Sequence, residues 1–293
     1  MNSVQIQAGL GNQMFGYAFC KYLENKTNKR TKLSLLPFLL RQDHNGLELH
    51  SAFTNIRGIS KTKYKTISYL HKNLLTEKIR YFVFSLLSHI KYPKNICYWA
   101  QSPYAFVDVP ISGIKYYCGL WQNSRYAEAV REQLLYDFTF NLPTEGAYKT
   151  YEDALLNNSD TVAIHIRRGD YLSPKYANWN IFQDYSYFFK SIEYLKKEYK
   201  AKTFFIFSDD IKFCKETFIG KEYVFVEANT GTNSYLDMYL MTLASHNIIS
   251  NSSFSWWAAF LKKQDGVVIA PKYWTARTKV ETASFSPSNW MYK

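Results

Sequence analysis

The second half of the chain alternates short apolar strands with helical segments, and this alternation constrains the fold more than any other feature. It begins with a strand predicted over Thr161–Ile166. The later predicted elements are helix 184–199, strand 203–207, helix 211–218, strand 223–226, helix 235–244, strand 247–250, helix 254–263 and strand 267–270. Strands separated by helices build parallel sheets with helices on both faces. We therefore predict an α/β fold whose C-terminal part is a doubly wound parallel sheet.

The N-terminal half opens with a strand, a turn and a helix of its own. The predicted elements there are strand 3–7, helix 12–25, strand 31–36 and helix 126–135. Gly9 and Gly11 form the turn between the first strand and the first helix. This half of the chain therefore begins with the same kind of unit that repeats in the second half.

The length of the chain and one polar stretch predict two lobes. At 293 residues the chain exceeds what a single hydrophobic core usually organises. Residues 141–158 are polar and contain Pro143 and Gly146, which favours a boundary there. We predict an N-terminal lobe over residues 1–150 and a C-terminal lobe over residues 151–293.

Composition restricts the class of protein and the kind of partner. The chain is 47% hydrophobic and 18% aromatic, which excludes a disordered segment. Its formal net charge of +12 favours an anionic partner: a nucleotide diphosphate, a nucleic acid or an acidic membrane. The basic residues are scattered and carry no RNA-binding signature, so no nucleic-acid partner is expected.

Cysteine spacing and the N-terminal residues bear on location. The cysteines lie far apart, without the close pairs of a zinc or redox motif, and are predicted to be buried thiols: Cys20, Cys97, Cys118 and Cys214. The N-terminus lacks the basic and apolar segments of a secretory signal. The longest apolar run, residues 81–87, is shorter than the ~20 residues that span a bilayer. We expect a cytoplasmic protein.

Residues 61–94 combine many lysines with an apolar helical face. That face contains Leu74, Ile79, Phe82, Val83 and Leu86. Two interpretations are open: a core-facing helix with solvated lysines, or a helix at a membrane surface. The second would place the protein peripherally on the inner face of an anionic membrane.

Four polar clusters stand where a predicted strand gives way to a turn or a helix. They cover residues 9–13, 165–171, 208–210 and 250–255. Because ligands of open α/β sheets bind at the carboxyl ends of the strands, the last three clusters are expected to share one crevice. The first and last also precede helices, whose free amides and partial positive charge suit phosphate. A plain tight turn and a simple N-cap are the respective alternatives.

The cluster at residues 165–171 is the most informative of the four. Side chains alternate along a strand, so Arg167 and Arg168 are expected on opposite sides. One can bind a diphosphate with its planar fork of donors while the other braces a carboxylate, with Asp170 as the candidate. A structural arginine–aspartate pair is the alternative. His165, between two isoleucines, is typical of a hydrogen-bonded core residue.

The adjacent aspartates at the end of the next strand have three interpretations. Asp209 and Asp210 could hold Mg²⁺, accept hydrogen bonds from a guanine or a ribose, or cap the helix beginning at Ile211. Their adjacency departs from the alternate spacing of an Asp-x-Asp metal motif. We therefore expect no metal here.

Together these clusters resemble the α-1,2-fucosyltransferases of glycosyltransferase family 11, bacterial branch. The segments GLGNQMFGYAF (9–19), HIRRGDY (165–171), FSDD (207–210) and SNSSFSWWAAFL (250–261) follow the family's order and approximate spacing. The resemblance implies a two-lobed GT-B type architecture. It also implies inverting transfer of L-fucose from GDP-β-L-fucose to the 2-hydroxyl of a terminal galactose of a glycan, with no metal or other cofactor. A transferase using another nucleotide sugar or another hydroxyl, and a non-catalytic GDP-sugar-binding homologue, are the alternatives.

The resemblance also implies roles for the residues of the four clusters. The donor-binding residues would be Gly9, Gly11, Asn12, Gln13, Ser208, Asp209, Asp210, Asn251, Ser252, Ser253, Phe254 and Ser255. The catalytic residues would be Arg167, Arg168, Asp170 and His165. Within these sets, Arg168 is the first choice for the diphosphate, the aspartates for guanosine, and Asp170 before His165 for a general base. The N-terminal lobe would face the galactose-containing acceptor.

Overall fold

Each half of the chain forms a parallel β-sheet flanked by helices. The structure is a computed structural model that describes residues 2–40, 44–73, 77–91, 96–172, 185–275 and 278–293. It divides into two compact units, Met1–Asn141 and Leu142–Lys293. The predicted α/β class is confirmed, and two parallel-sheet units in one chain are the components of a GT-B type architecture.

The N-terminal unit is built on a four-stranded sheet. Its strands are β1 (Asn2–Gln5), β2 (Thr31–Ser34), β3 (Cys97–Trp99) and β4 (Tyr116–Cys118), in the order β2-β1-β4-β3. Its helices are α1 (Leu10–Thr27), α2 (Leu49–Ala52), α3 (Lys61–Asn73), α4 (Glu77–Lys91), α5 (Ser124–Glu128) and α6 (Arg131–Asp137). Gly16 lets α1 lie close to the sheet, because a Cβ there would be 2.7 Å from the Ile6 side chain.

Three sequence expectations for this unit differ from the structure. The segment predicted as one helix over residues 61–94 forms two, α3 and α4; Leu74, predicted on the apolar face, lies outside the described residues. The helix predicted over residues 126–135 is instead the pair α5 and α6. Strands β3 and β4 were not predicted, because three residues are too few to establish a period.

The C-terminal unit is built on a six-stranded sheet. Its strands are β5 (Thr161–Ile166), β6 (Thr203–Ser208), β7 (Tyr223–Phe225), β8 (His246–Ile248), β9 (Val268–Ala270) and β10 (Met291–Tyr292). Its helices are α7 (Tyr148–Leu156), α8 (Tyr185–Tyr199), α9 (Ile211–Thr217), α10 (Tyr235–Leu243) and α11 (Ser253–Phe260). Helix α8 corresponds to the helix predicted over residues 184–199, whose first residue, Asp184, lies outside the described residues.

The strand order β10-β9-β8-β5-β6-β7 is that of a doubly wound sheet, and every adjacent pair is parallel. The chain moves outward from β5 through β6 to β7, then returns to the other side of β5 and moves outward through β8. The order therefore reverses between β5 and β8, which is where such sheets leave a crevice for a ligand. The predicted doubly wound sheet is confirmed.

The core of this unit is formed by the strands and one face of α8. Ile164, Phe204 and Ile248 of the sheet are fully buried, and Phe188 and Ile192 of α8 pack against this layer. Trp256 and Trp257 of α11 are also fully buried. All four cysteines are buried free thiols, which confirms that expectation too.

Helix α7 lies inside the polar stretch that we expected to separate the lobes. The Tyr151 hydroxyl donates a hydrogen bond to the Phe225 carbonyl (3.2 Å), and the Tyr239 hydroxyl donates to Glu152. These contacts attach α7 to the C-terminal unit, so the division falls at Asn141, before the predicted boundary. The acceptor-side and donor-side roles of the two lobes stay predictions.

Candidate functional site

Three of the four polar clusters meet at the carboxyl ends of β5, β6 and β8. Strands β5 and β6 pair in register from Thr161 opposite Thr203 to Ile166 opposite Ser208. The next residues along the two strands are arginines on one and aspartates on the other, so the register brings opposite charges together. This edge contains the point at which the strand order reverses.

Arg167 forms an ion pair with Asp209. The distance from Arg167 Nη1 to Asp209 Oδ2 is 3.1 Å, and each side chain is about one quarter exposed, at 24% and 25%. The guanidinium carbon also lies 5.9 Å from the centre of the Tyr171 ring. The Tyr171 hydroxyl in turn donates to the Asn251 carbonyl (2.8 Å), which connects the loop after β5 to the loop after β8.

Arg168 pairs with the next carboxylate along the chain and also contacts an aromatic ring. Its Nη1 bonds Asp210, and its guanidinium lies 3.9 Å from the centre of the Phe213 ring, a cation–π contact. Asp210 is also the N-cap of α9, accepting from the Phe213 amide at 3.2 Å. Arg168 is therefore fixed against the start of α9. The described carboxylates that pair with the two arginines are Asp209 and Asp210, and the bracing role of Asp170 stays a prediction.

Gly169 allows the loop after β5 to lie against Asp209. A Cβ on Gly169 would be 2.9 Å from Asp209 Oδ2, too close without a shift of the carboxylate. Asp209 Oδ1 meanwhile accepts a hydrogen bond from the Arg168 amide at 2.9 Å. Asp209 thus ties the backbone of one arginine to the side chain of the other, which pre-organises the pair.

His165 connects β5 to the loop after β8. Its Nδ1 is 2.9 Å from the Ser250 hydroxyl, and its ring lies 5.8 Å from that of Phe254. Burial, and then the nearby positive charge of Arg167, lower the pKa of His165 to about 3. The imidazole is therefore neutral at neutral pH and a weak proton acceptor. This environment suits the hydrogen-bonded core residue that the sequence indicated better than a general base.

The start of α11 presents backbone amides beside this cluster. Ser252 is the N-cap, and the next two residues, Ser253 and Phe254, are half-buried. Asn251 is buried, with its Nδ2 donating to the Trp274 carbonyl (2.9 Å) and its Oδ1 without a hydrogen-bond partner among the described residues. A ligand N–H or O–H would satisfy that acceptor. Ser255 instead bonds backbone carbonyls of its own turn.

Asp237 is a carboxylate at the same sheet edge that the sequence analysis missed. It lies in the first turn of α10, the helix that follows β7, and helices of parallel sheets begin at the carboxyl ends of the strands. Burial raises the pKa of Asp237 to about 7, despite a hydrogen bond from Asn229 Nδ2 at 2.7 Å. The available signal was one acidic residue in the otherwise apolar run YLDMYLMTL.

The fourth cluster, in the N-terminal unit, uses its polar groups internally. Gln13 is fully buried, and its Nε2 donates to the carbonyls of Ala8 and Gly46, both at 2.7 Å. Its Oε1 accepts from the Glu48 amide at 3.0 Å. Ala8 has a left-handed backbone (φ 62°), which these bonds help to hold. Gln13 is thus a brace in this structure, and its predicted contact with the donor stays a prediction.

The other residues of that cluster form the start of α1. Gly9 is the N-cap, where a Cβ would be 2.8 Å from the His44 ring, and Gly11 is buried. Asn12 accepts a hydrogen bond from Gln122 Nε2. Their donor-binding roles are untested by these contacts.

The predictions of Asp170 as a general base and of a site without a metal both stay predictions. The side chain of Asp170 lies outside the described part of the structure, so its role as a base stays a prediction. Among the described residues, no three His, Cys, Asp or Glu side chains cluster so as to hold a metal ion.

A doubly wound sheet with arginines and a helix start at its switch point is an arrangement suited to binding an anion. The model of the family Glycosyl transferase family 11 matches residues 1–293, so the chain belongs to that family of glycosyltransferases. The family resemblance seen in the sequence is confirmed.

Two relatives and one solved structure show which individual proteins this chain is similar to. An alpha-1,2-colitosyltransferase from Escherichia coli is 32% identical over 299 residues, which cover 98% of this chain and 97% of that protein. Human galactoside alpha-(1,2)-fucosyltransferase 1 is 25% identical over 181 residues, 59% of this chain and 49% of that protein. The crystal structure of NodZ alpha-1,6-fucosyltransferase with GDP aligns with a TM-score of 0.45 at 14% identity, covering 88% of this chain and 91% of that one.

Proposed function

We propose that this family 11 enzyme transfers L-fucose from GDP-β-L-fucose to the 2-hydroxyl of a terminal galactose, with inversion and without a metal. The observation that carries the proposal is the pair of arginine–aspartate contacts at the switch point of the sheet. Membership of the family over the whole chain, and relatives named for α-1,2 transfer, support the reaction class.

Arg167 is the group that we assign to the diphosphate. It is partly exposed, and it lies near Tyr171, whose hydroxyl bonds the Asn251 carbonyl shortly before α11. A guanidinium carries five N–H donors in one plane, which matches phosphate oxygens. The amides at the start of α11 would add further donors. Arg168, fixed by Asp210 and Phe213, is better suited to hold the loop than to bind the ligand.

The guanine is assigned to Asp237 rather than to Asp209 and Asp210. The two adjacent aspartates are engaged with arginines, as the N-cap of α9 and as a loop brace. Asp237 accepts one hydrogen bond, from Asn229, and forms no ion pair with an arginine among the described residues. A guanine presents two neighbouring N–H donors, and a carboxylate accepts both in one plane. The proton that Asp237 retains near pH 7 would be released when the base binds.

In the proposed transfer reaction, fixed positive groups of the protein stabilise the departing GDP. The bond from the anomeric carbon of fucose to the β-phosphate oxygen breaks, and the galactose 2-hydroxyl oxygen forms a new bond on the opposite face. The hydroxyl proton would pass to a general base, for which Asp170 is the first candidate from the sequence, and GDP departs with one more negative charge. Arg167 and the α11 amides would stabilise that charge as it develops, which in other enzymes is worth about 3 kcal/mol per donor.

A colitosyl donor is the second candidate, because the relative named for colitosyl transfer is similar over nearly the full length of both chains. The geometry of the described residues does not distinguish the two sugars. The nucleotide site proposed above would serve either donor, since its residues are assigned to the GDP half.

Donor, linkage and metal requirement can be measured together. Purified protein would be given GDP-fucose or GDP-colitose with a panel of β-galactosides in EDTA, and the GDP release and product linkage determined. We expect EDTA-resistant transfer of fucose to the 2-hydroxyl. Turnover with GDP-colitose alone would show that colitose is the transferred sugar and would leave the proposed nucleotide site unchanged. Loss of turnover in EDTA, with recovery on adding Mg²⁺, would refute metal independence.

A further inference from the structure

The outward sides of α3 and α4 expose large apolar side chains among lysines. The exposed apolar residues are Tyr69, Leu70, Ile79, Tyr81, Phe82 and Leu86, and the exposed lysines beside them are Lys63, Lys65, Lys72 and Lys78. We call these ten residues the α3–α4 outer face. Tyr69 and Phe82 are 67% and 69% exposed. Single exposed apolar residues are ordinary, but a group of six on two adjoining helices marks an interaction surface.

The two helices pack against the rest of the unit through other side chains. Ile67 of α3 and Val83 of α4 pack against a cluster that includes Leu36 and Leu39. The Tyr64 ring contacts Phe38 edge to face, at 5.8 Å between centres. Ile79 and Leu86 lie within one turn of Val83 on α4 but are 41% and 51% exposed, so this packing leaves apolar surface uncovered among the described residues.

The spacing on α4 produces a continuous stripe. Ile79, Phe82 and Leu86 follow one another at i, i+3 and i+7, so they lie on one side of the helix. Lys78 lies beside Phe82 on the same exposed surface, and lysine stems can extend along an apolar surface while the ammonium stays in water. An apolar stripe flanked by lysines is the pattern of helices that lie in a membrane interface.

The net charge of the segment selects the kind of membrane. Residues 61–91 contain six lysines and one arginine against a single acidic residue, Glu77. Each basic residue near an anionic leaflet contributes about 1 kcal/mol of attraction. No helix in the described part of the chain is long and apolar enough to cross a bilayer.

We propose that the α3–α4 outer face binds the surface of an anionic lipid bilayer. The stripe of Ile79, Phe82 and Leu86 would enter the boundary between headgroups and acyl chains, and the four lysines would meet lipid phosphates. A nucleic acid or an acidic protein would satisfy the lysines but leave the apolar stripe in water, which is why we choose lipid. The proposal is independent of the donor site.

The test is sedimentation with vesicles of an equimolar mixture of phosphatidylcholine and phosphatidylglycerol, against vesicles of phosphatidylcholine alone. We expect binding to the mixture at low salt and little to the neutral vesicles. The variant Lys65→Gln/Lys72→Gln/Lys78→Gln should bind on the order of a hundredfold more weakly, since three charges are removed. The variant Phe82→Ser/Leu86→Ser should bind at least tenfold more weakly, because it deletes the apolar stripe.

Matched controls separate this surface from general effects of charge and apolar area. Lys29→Gln/Lys149→Gln/Lys190→Gln removes the same charge from exposed lysines elsewhere, and Leu156→Ser/Ile219→Ser removes exposed apolar residues of the other unit. Both should bind vesicles like the parent. Equal loss in test and control variants would overturn the proposal. Failure of the parent to bind the mixed vesicles would also overturn the proposal. If Phe82→Ser instead dissociated an oligomer in sedimentation without lipid, the face would bind a second copy of the chain rather than a membrane.

Discussion

The start of α1 and the strand ends of the C-terminal unit show how similar local sequence leads to different functions. In both places a strand gives way to a turn and then a helix with polar residues at its start. At α1, the Gln13 amide bonds three backbone groups and is fully buried. At β5, Arg167 and Asp209 pair with each other and remain about one quarter exposed. Polar groups that close on the backbone brace the fold, whereas charged groups that pair and stay exposed can still meet a ligand.

The largest expected effect separates the two regions directly. Arg167→Ala should lower kcat/KM with GDP-fucose by on the order of 10² to 10³, because a positive charge toward the leaving diphosphate is lost. The melting temperature should change little, since Arg167 is partly exposed. Steady-state kinetics and a thermal melt measure both. Near-normal turnover in a folded variant would place the diphosphate elsewhere.

Gln13→Ala should lower the stability of the protein, whereas Arg167→Ala should lower its activity. Gln13→Ala removes the side-chain partner of three backbone groups, two of them buried, and we expect a loss of about 2 to 3 kcal/mol in the free energy of unfolding. Urea denaturation measures it. Thr27→Ala, on the same helix, is the control: its hydroxyl donates a single bond to the Leu23 carbonyl, so the loss should be smaller. A Gln13→Ala variant as stable as the parent, but unable to use GDP-fucose, would instead support the donor-binding role.

His165 should make the C-terminal unit sensitive to acid. Its folded pKa of about 3 lies below the ordinary value near 6.5, so the unfolded chain takes up the proton first as pH falls. The stability that neutral His165 contributes above pH 6.5 is therefore lost as pH falls toward 3, by about 2 kcal/mol between pH 7 and pH 5. His165→Gln should show a smaller loss over that range in urea melts. Identical pH profiles would contradict the assignment.

Asp237 gives an effect of the opposite sign. Its folded pKa of about 7 lies above the ordinary 3.8, so the carboxyl costs stability as pH rises from about 4 to 7. Asp237→Asn should raise the free energy of unfolding at pH 8 and change it little at pH 4, because the amide does not ionise. The same variant should bind GDP more weakly in calorimetry. Unchanged GDP affinity would remove Asp237 from the guanine site while leaving the stability effect intact.

The sequence predicted long elements well and short ones poorly. Strands β5 and β6 have six residues each, four of them apolar, whereas β3, β4 and β10 have two or three residues and no detectable period. Helix α7 was missed because its exposed surface and flanking Pro143 and Gly146 are typical of a linker.

The candidate site also has parts that the sequence predicted and parts that it did not. The clusters at residues 165–171, 208–210 and 250–255 were found from their position after strands. Their pairing could not be predicted, because it depends on the register that sets Ile166 opposite Ser208. Once that register is known, Arg167 falls beside Asp209 and Arg168 beside Asp210. Asp237 escaped notice because its position follows from the packing of α10 rather than from a motif.

The most direct test of the central claim is a calorimetric titration of GDP, in EDTA, into the parent and into Arg167→Ala. If the arginine at the switch point holds the diphosphate, the parent binds and the variant binds at least tenfold more weakly while melting at the same temperature. Equal GDP affinity in the two proteins would show that the nucleotide does not bind at the carboxyl end of β5.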